Sequence, residues 1–98
     1  MEEKPSACFE AVILARTGKA SEAVEELVHR FPGKKKAEVE RLAACGNQLN
    51  LELWGMAEQY HRKAITEAEF KRRIADAFGD IRSWEVDRIF TQAVFDAR

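Results

Sequence analysis

The chain has 98 residues, of which 46% are hydrophobic and 34% charged, and its formal net charge is −1. This composition excludes a disordered chain, and the length fits one domain with a core of its own. A net charge close to zero also argues against a general electrostatic attraction to nucleic acid or to anionic membranes. We therefore expect a single helical domain over residues 1–98.

The N-terminus and the two cysteines favour a cytoplasmic protein. The chain opens with two glutamates and holds Glu10 within an apolar stretch, which is unlike a secretory signal. The longest apolar run, residues 11–15, is far shorter than the roughly 20 residues of a membrane span. Cys8 and Cys45 lie far apart without the spacing of a metal site, so we predict two reduced, buried thiols.

Two short helices are predicted in the first third of the chain. Ser6 is a candidate N-cap of a helix over residues 7–16, which carries apolar side chains on nearly every face. Gly18 suits the left-handed conformation that often follows a helix. A second helix is predicted over residues 20–31, and the Pro-Gly pair after it stops it.

The most informative pattern lies in the middle of the chain, where apolar positions recur at alternating steps of three and four. The series is Val39, Leu42, Gly46, Leu49, Leu53, Met56 and Tyr60. Such spacing keeps one seam on one side of a long helix, which we predict over residues 34–63. Gly46-Asn47 could interrupt this helix, but the heptad phase continues through it, so we expect continuity. A mid-helix glycine costs about 1 kcal/mol against alanine, which predicts close approach of another helix at Gly46.

The final third of the chain predicts two more helices. Thr66 and Glu69 form a capping box before a helix that ends at Phe78, ahead of a Gly-Asp pair. Ser83 is a candidate N-cap for the last helix, which runs to about residue 97. No segment shows the alternation of apolar and polar residues that is typical of a strand.

These elements predict an all-α fold, a bundle of about five helices in which a long central helix is flanked by two shorter helix pairs. Leu51 and Trp54 lie off the seam of the central helix. Because a helix with neighbours on both sides needs two apolar faces, we expect both side chains to be buried. The alternative is that they form an exposed surface for a partner. Trp84, in the first turn of the last helix, is expected to be partly exposed.

The sequence contains no group of residues with the types and spacing expected of a catalytic site, a cofactor site or a metal site. The two histidines, His29 and His61, fall in different predicted helices without metal-ligand spacing. The glutamates fall on outward faces of the predicted helices, where we expect them to be solvated. We also expect the run of lysines at residues 34–36 to be solvated. We therefore expect that the protein is not an enzyme.

We expect the chain to act by binding another protein or a second copy of itself, as an adaptor, inhibitor, immunity protein or chaperone does. This class is an analogy from size and helical content. Leu51, Trp54 and Trp84 are the candidate partner-binding residues, since a few large side chains dominate protein interfaces. Nucleic acid and membranes are not expected as partners.

One pattern near the end of the chain supports a different function. An alanine is followed by a glycine four residues later, and apolar residues are spaced around this pair. The residues of the pattern are Ile74, Ala75, Phe78, Gly79, Ile81, Val86 and Ile89. This spacing resembles the helix-turn-helix of DNA-binding regulators, with one inserted residue, Asp80.

The resemblance implies, as the alternative, a DNA-binding regulator that uses residues 66–97. The candidate nucleic-acid contacts are Lys71, Arg72, Arg73, Arg82 and Arg88. The last helix argues against this function, because it is expected to expose Glu85, Asp87 and Asp96 where phosphates would lie.

Overall fold

A computed structural model describes residues 5–78 and 81–96. Within these ranges the regular structure is helical, and no strand is found. Five α-helices follow one another: α1 (Ala7–Arg16), α2 (Ala23–Arg30), α3 (Lys36–His61), α4 (Glu67–Ala77) and α5 (Ser83–Asp96). The prediction of an all-α fold with about five helices is therefore confirmed.

The chain divides into two units, an N-terminal unit over Met1–Asn50 and a C-terminal unit over Leu51–Arg98. Helix α3 contributes its first part to one unit and its second part to the other. In the N-terminal unit α1 packs on α2, and in the C-terminal unit α4 packs on α5. The two predicted pairs of short helices are thus present, while the single domain over residues 1–98 stays a prediction.

The N-terminal unit has a core of small and aliphatic side chains, and its helix ends follow the sequence signals. Ser6 caps α1, because its Oγ accepts a hydrogen bond from the Phe9 N–H at 3.2 Å. Gly18 has a φ of 79°, the left-handed conformation predicted for it. Helix α2 starts later than predicted, since Ala20–Glu22 forms a tighter 3-10 turn. The central core residues are Ala11, Leu14, Ala23, Leu27 and Val39.

Gly46 lies where α1 crosses α3 within the N-terminal unit. A Cβ atom built on Gly46 would lie 2.7 Å from the carbonyl carbon of Ala11 and 2.8 Å from its Cβ. Only glycine permits so close an approach of two backbones. Helix α3 runs through Gly46 and Asn47 without interruption, so both the continuity of the helix and the close approach at Gly46 are confirmed.

The seam of α3 is buried from Val39 to Met56, and its last member, Tyr60, is half-buried among aromatic side chains of the C-terminal unit. The ring centroid of Tyr60 lies 5.2 Å from that of Phe90 and 6.3 Å from that of Phe70. Phe70 and Phe90 are 5.1 Å apart. Such edge-on and tilted ring pairs add to the stability that burial of their area supplies. The buried seam residues are Val39, Leu42, Gly46, Leu49, Leu53 and Met56.

The starts of α4 and α5 are capped in different ways. Thr66 Oγ1 accepts a hydrogen bond from the Glu69 N–H at 3.1 Å, as the capping box predicts. The prediction that Ser83 is the N-cap of α5 is wrong, because Ser83 is the first residue of the helix. The N-cap position falls at Arg82, whose N–H donates to the carboxylate of Glu85 at 3.1 Å. The predicted Gly-Asp break at residues 79 and 80 lies outside the described residues.

The two glycines within α3 offer a matched pair of substitutions. Gly46→Ala is expected to lower the free energy of unfolding by about 1–3 kcal/mol, since the backbone of Ala11 must move to admit a methyl group. Gly55→Ala is the control, because a Cβ there meets nothing within 4 Å. Its better helix propensity should raise the free energy of unfolding by about 0.5–1 kcal/mol. Urea unfolding followed by far-UV circular dichroism measures both, and shifts of the same sign would contradict the crossing at Gly46.

Candidate functional site

Two large apolar side chains of α3 are exposed side by side in the C-terminal unit. Leu51 exposes 63% of its surface and Trp54 exposes 54%. They stand three residues apart, so they lie on the same face of the helix. We call this pair, Leu51 and Trp54, the α3 patch. Adjacent exposed apolar groups of this size mark a surface for contact with another molecule more often than scattered single ones do.

The prediction that Leu51 and Trp54 are buried is therefore wrong. Each stands two positions before a buried seam residue, Leu53 and Met56 respectively. Two positions correspond to about 200° around an α-helix, so the α3 patch lies on the side opposite to the seam. In the C-terminal unit α3 is buried along this seam and open on the opposite side. The alternative interpretation, an exposed surface, fits the structure.

Gly55 and Glu58 continue the face of the α3 patch, at four and seven residues after Leu51. Gly55 is exposed, and a Cβ added to it would meet nothing within 4 Å. The sequence analysis did not single out Gly55. The signal that could have found it is the propensity cost of a second glycine inside a predicted long helix.

The charges on this part of α3 are acidic. Glu52 and Glu58 are both exposed, and no lysine or arginine occurs between Arg41 and Arg62. Glu58 forms an ion pair with Arg62, one turn further along the chain. Both of these side chains are largely exposed, and an exposed ion pair of this kind contributes little to stability.

A shallow groove of about 490 Å³ adjoins Gly55 within the C-terminal unit. Helix α4 supplies one wall, where Arg73 donates a hydrogen bond to Gln59 Oε1 of α3 at 3.5 Å. The groove contains acids of both helices together with this arginine, and it offers space for a side chain of a bound molecule. Its lining residues are Glu52, Gly55, Met56, Gln59, Arg73, Asp76 and Ala77.

Trp84, the third candidate for partner binding, belongs to a different helix. It lies in the first turn of α5 and is half-buried, which agrees with the prediction of partial exposure. The guanidinium carbon of Arg88 lies 5.6 Å from the centroid of its ring, in a cation–π contact. The groove beside Trp84 is lined by residues of α5. The structure thus places Leu51 and Trp54 together and Trp84 on another element.

Phe95 and Val28 are two further large apolar side chains that the structure exposes, by 65% and 39% respectively. Phe95 was not among the candidate residues. It stands nine positions after the buried Val86, which corresponds to about 180° around α5 and explains its exposure. Val28 lies on α2, in the N-terminal unit, and supplies an exposed apolar control for variants of the α3 patch.

Lys71, a candidate contact for nucleic acid, is held by acidic side chains of the C-terminal unit. Its Nζ lies 2.7 Å from Glu67 and 3.1 Å from Asp87, which ties α4 to α5. The ammonium group also lies 5.1 Å from the ring centroid of Phe90. Hydrogen bonds to Glu67 and Asp87 raise the pKa of Lys71 above its ordinary value. Its charge is thus already compensated within the chain.

The remaining cations of the helix-turn-helix hypothesis differ in their surroundings. Arg88 lies over Trp84 and Arg73 contacts Gln59, and all four arginines, Arg72, Arg73, Arg82 and Arg88, are exposed. Gly79, Asp80 and residue 97, on which this hypothesis also relied, lie outside the described residues.

The prediction that Glu85 is exposed is wrong, because its relative exposure is 0%. Its carboxylate turns back to the start of α5, where it accepts the hydrogen bond from the Arg82 N–H. In a capping box the side chain of the third helical residue accepts a hydrogen bond from the N–H of the N-cap residue, and Glu85 does this in α5. A buried carboxylate needs such a donor. Asp87 and Asp96 are exposed as predicted.

Within residues 5–78 and 81–96, no three or more His, Cys, Asp or Glu side chains are grouped so that they could hold a metal ion. His61 lies with its Nε2 atom 3.0 Å from the carbonyl oxygen of Val94, a contact between the ends of α3 and α5. In the same part of the chain, no helix combines the length and the apolar character needed to cross a membrane.

The exposure of Trp54 predicts a small effect on stability. Trp54→Ala should change the free energy of unfolding by less than about 1 kcal/mol, because an exposed ring contributes little to the core. Phe70→Ala is the control, and it should cost about 3–5 kcal/mol because its ring is fully buried. In variants that keep one tryptophan, acrylamide should quench Trp54 more strongly than Trp84. A large loss of stability with Trp54→Ala, or a shielded Trp54, would contradict the exposed α3 patch.

The ion pairs of Lys71 predict a pH dependence at the alkaline end. Its pKa is higher in the folded chain than in the unfolded one, so the pairs stabilise the fold at pH values below the unfolded pKa. This contribution is lost as the pH rises through the folded pKa. Urea midpoints of the wild type should therefore fall more steeply than those of Lys71→Met between about pH 9 and about pH 12. Parallel curves for the two proteins would show that these pairs do not contribute.

Comparison of the chain with protein-family models, with curated proteins and with solved structures found no match. A functional proposal for this chain therefore depends on its own residues. Among the candidate surfaces, the α3 patch combines two adjacent large apolar side chains with open space beside them.

Proposed function

We propose that this chain is a non-enzymatic helical protein that acts by binding another protein through the α3 patch. The observation that carries the proposal is the exposure of Leu51 and Trp54 on one face of α3, opposite to a seam that is buried. Bringing these side chains out of water against a partner would supply binding energy in proportion to the apolar area covered.

The kind of side chain exposed supports a binding surface. Tryptophan is among the residues that most often dominate the energy of protein interfaces, typically at the centre of a patch that excludes water. A role as adaptor, inhibitor, immunity protein or chaperone would use such a surface. We further propose that the protein acts in the cytoplasm, where its two free cysteines, Cys8 and Cys45, would stay reduced.

Affinity capture with matched variants tests the proposal. The wild type, the double variant Leu51→Ala/Trp54→Ala and the control Val28→Ala are each immobilised and exposed to a nuclease-treated lysate of the native host. Quantitative mass spectrometry then compares the captured proteins. We expect at least one protein to be enriched by the wild type and by Val28→Ala and lost with the double variant. Circular dichroism verifies that all three are folded.

Light scattering on the same three proteins tests self-association. A wild-type dimer that becomes monomeric only in the double variant would identify a second copy as the occupant of the α3 patch. Capture and oligomeric state that are the same for the wild type and the double variant would contradict the proposed role of this surface.

A DNA-binding regulator that uses residues 66–97 is the second candidate function. The observation in its favour is the packed pair of α4 and α5, which carries the exposed Arg72. The compensated charge of Lys71 and the exposed acids of α5 weaken it, since phosphate binding depends on available cations.

DNA binding can be measured directly by fluorescence anisotropy with a random duplex at low salt. We expect no binding tighter than about micromolar, because Lys71 is already paired with Glu67 and Asp87 and α5 exposes acidic side chains near its cations. The variant Arg72→Ala/Arg73→Ala is the control. Tight binding that weakens steeply with salt and disappears in this variant would reverse the order of the two candidates.

A further inference from the structure

We draw no further inference here: the strongest candidate, the exposed apolar face of α3 at Leu51 and Trp54 beside the groove at Gly55, belongs to the surface already proposed for partner binding, and nothing in the described residues shows what covers it.

Discussion

Helix α3 buries one apolar seam from Val39 to Met56, and the packing of both units depends on covering that seam. Its 26 residues are too many for one short helix to cover, so each unit adds its own helices to the part of the seam it contains. In the N-terminal unit the fit depends on Gly46, which lets the backbone of α1 come to van der Waals distance at Ala11. Close packing of this kind replaces many weak contacts with water by contacts within the protein.

In the C-terminal unit, covering one seam leaves the opposite side of α3 open, and Leu51 and Trp54 lie exposed on that side. Had Leu51 and Trp54 been polar, the exposed face would be an ordinary solvated helix surface. Their size and their proximity to Gly55 distinguish it.

The sequence predicted the features that depend on local geometry and periodicity. The five helices, the cap at Ser6, the buried seam and the close approach at Gly46 all follow from spacing or from backbone chemistry. It did not predict which side of α3 remains open, because burial of Trp54 depends on where other helices pack and not on its neighbours in the chain. The prediction for Glu85 failed for a related reason: a charged residue is expected outside, and only the fold shows that its buried carboxylate accepts a hydrogen bond from the Arg82 N–H.

The open space at Gly55 also bears on how this protein would change under artificial selection. A screen for heat tolerance rewards stability alone, and an exposed helical glycine without contacts is one of the easiest positions to improve. Evolution in the laboratory would thus tend to replace this glycine early. Retention of glycine among naturally occurring variants would show that something other than stability is selected at this position.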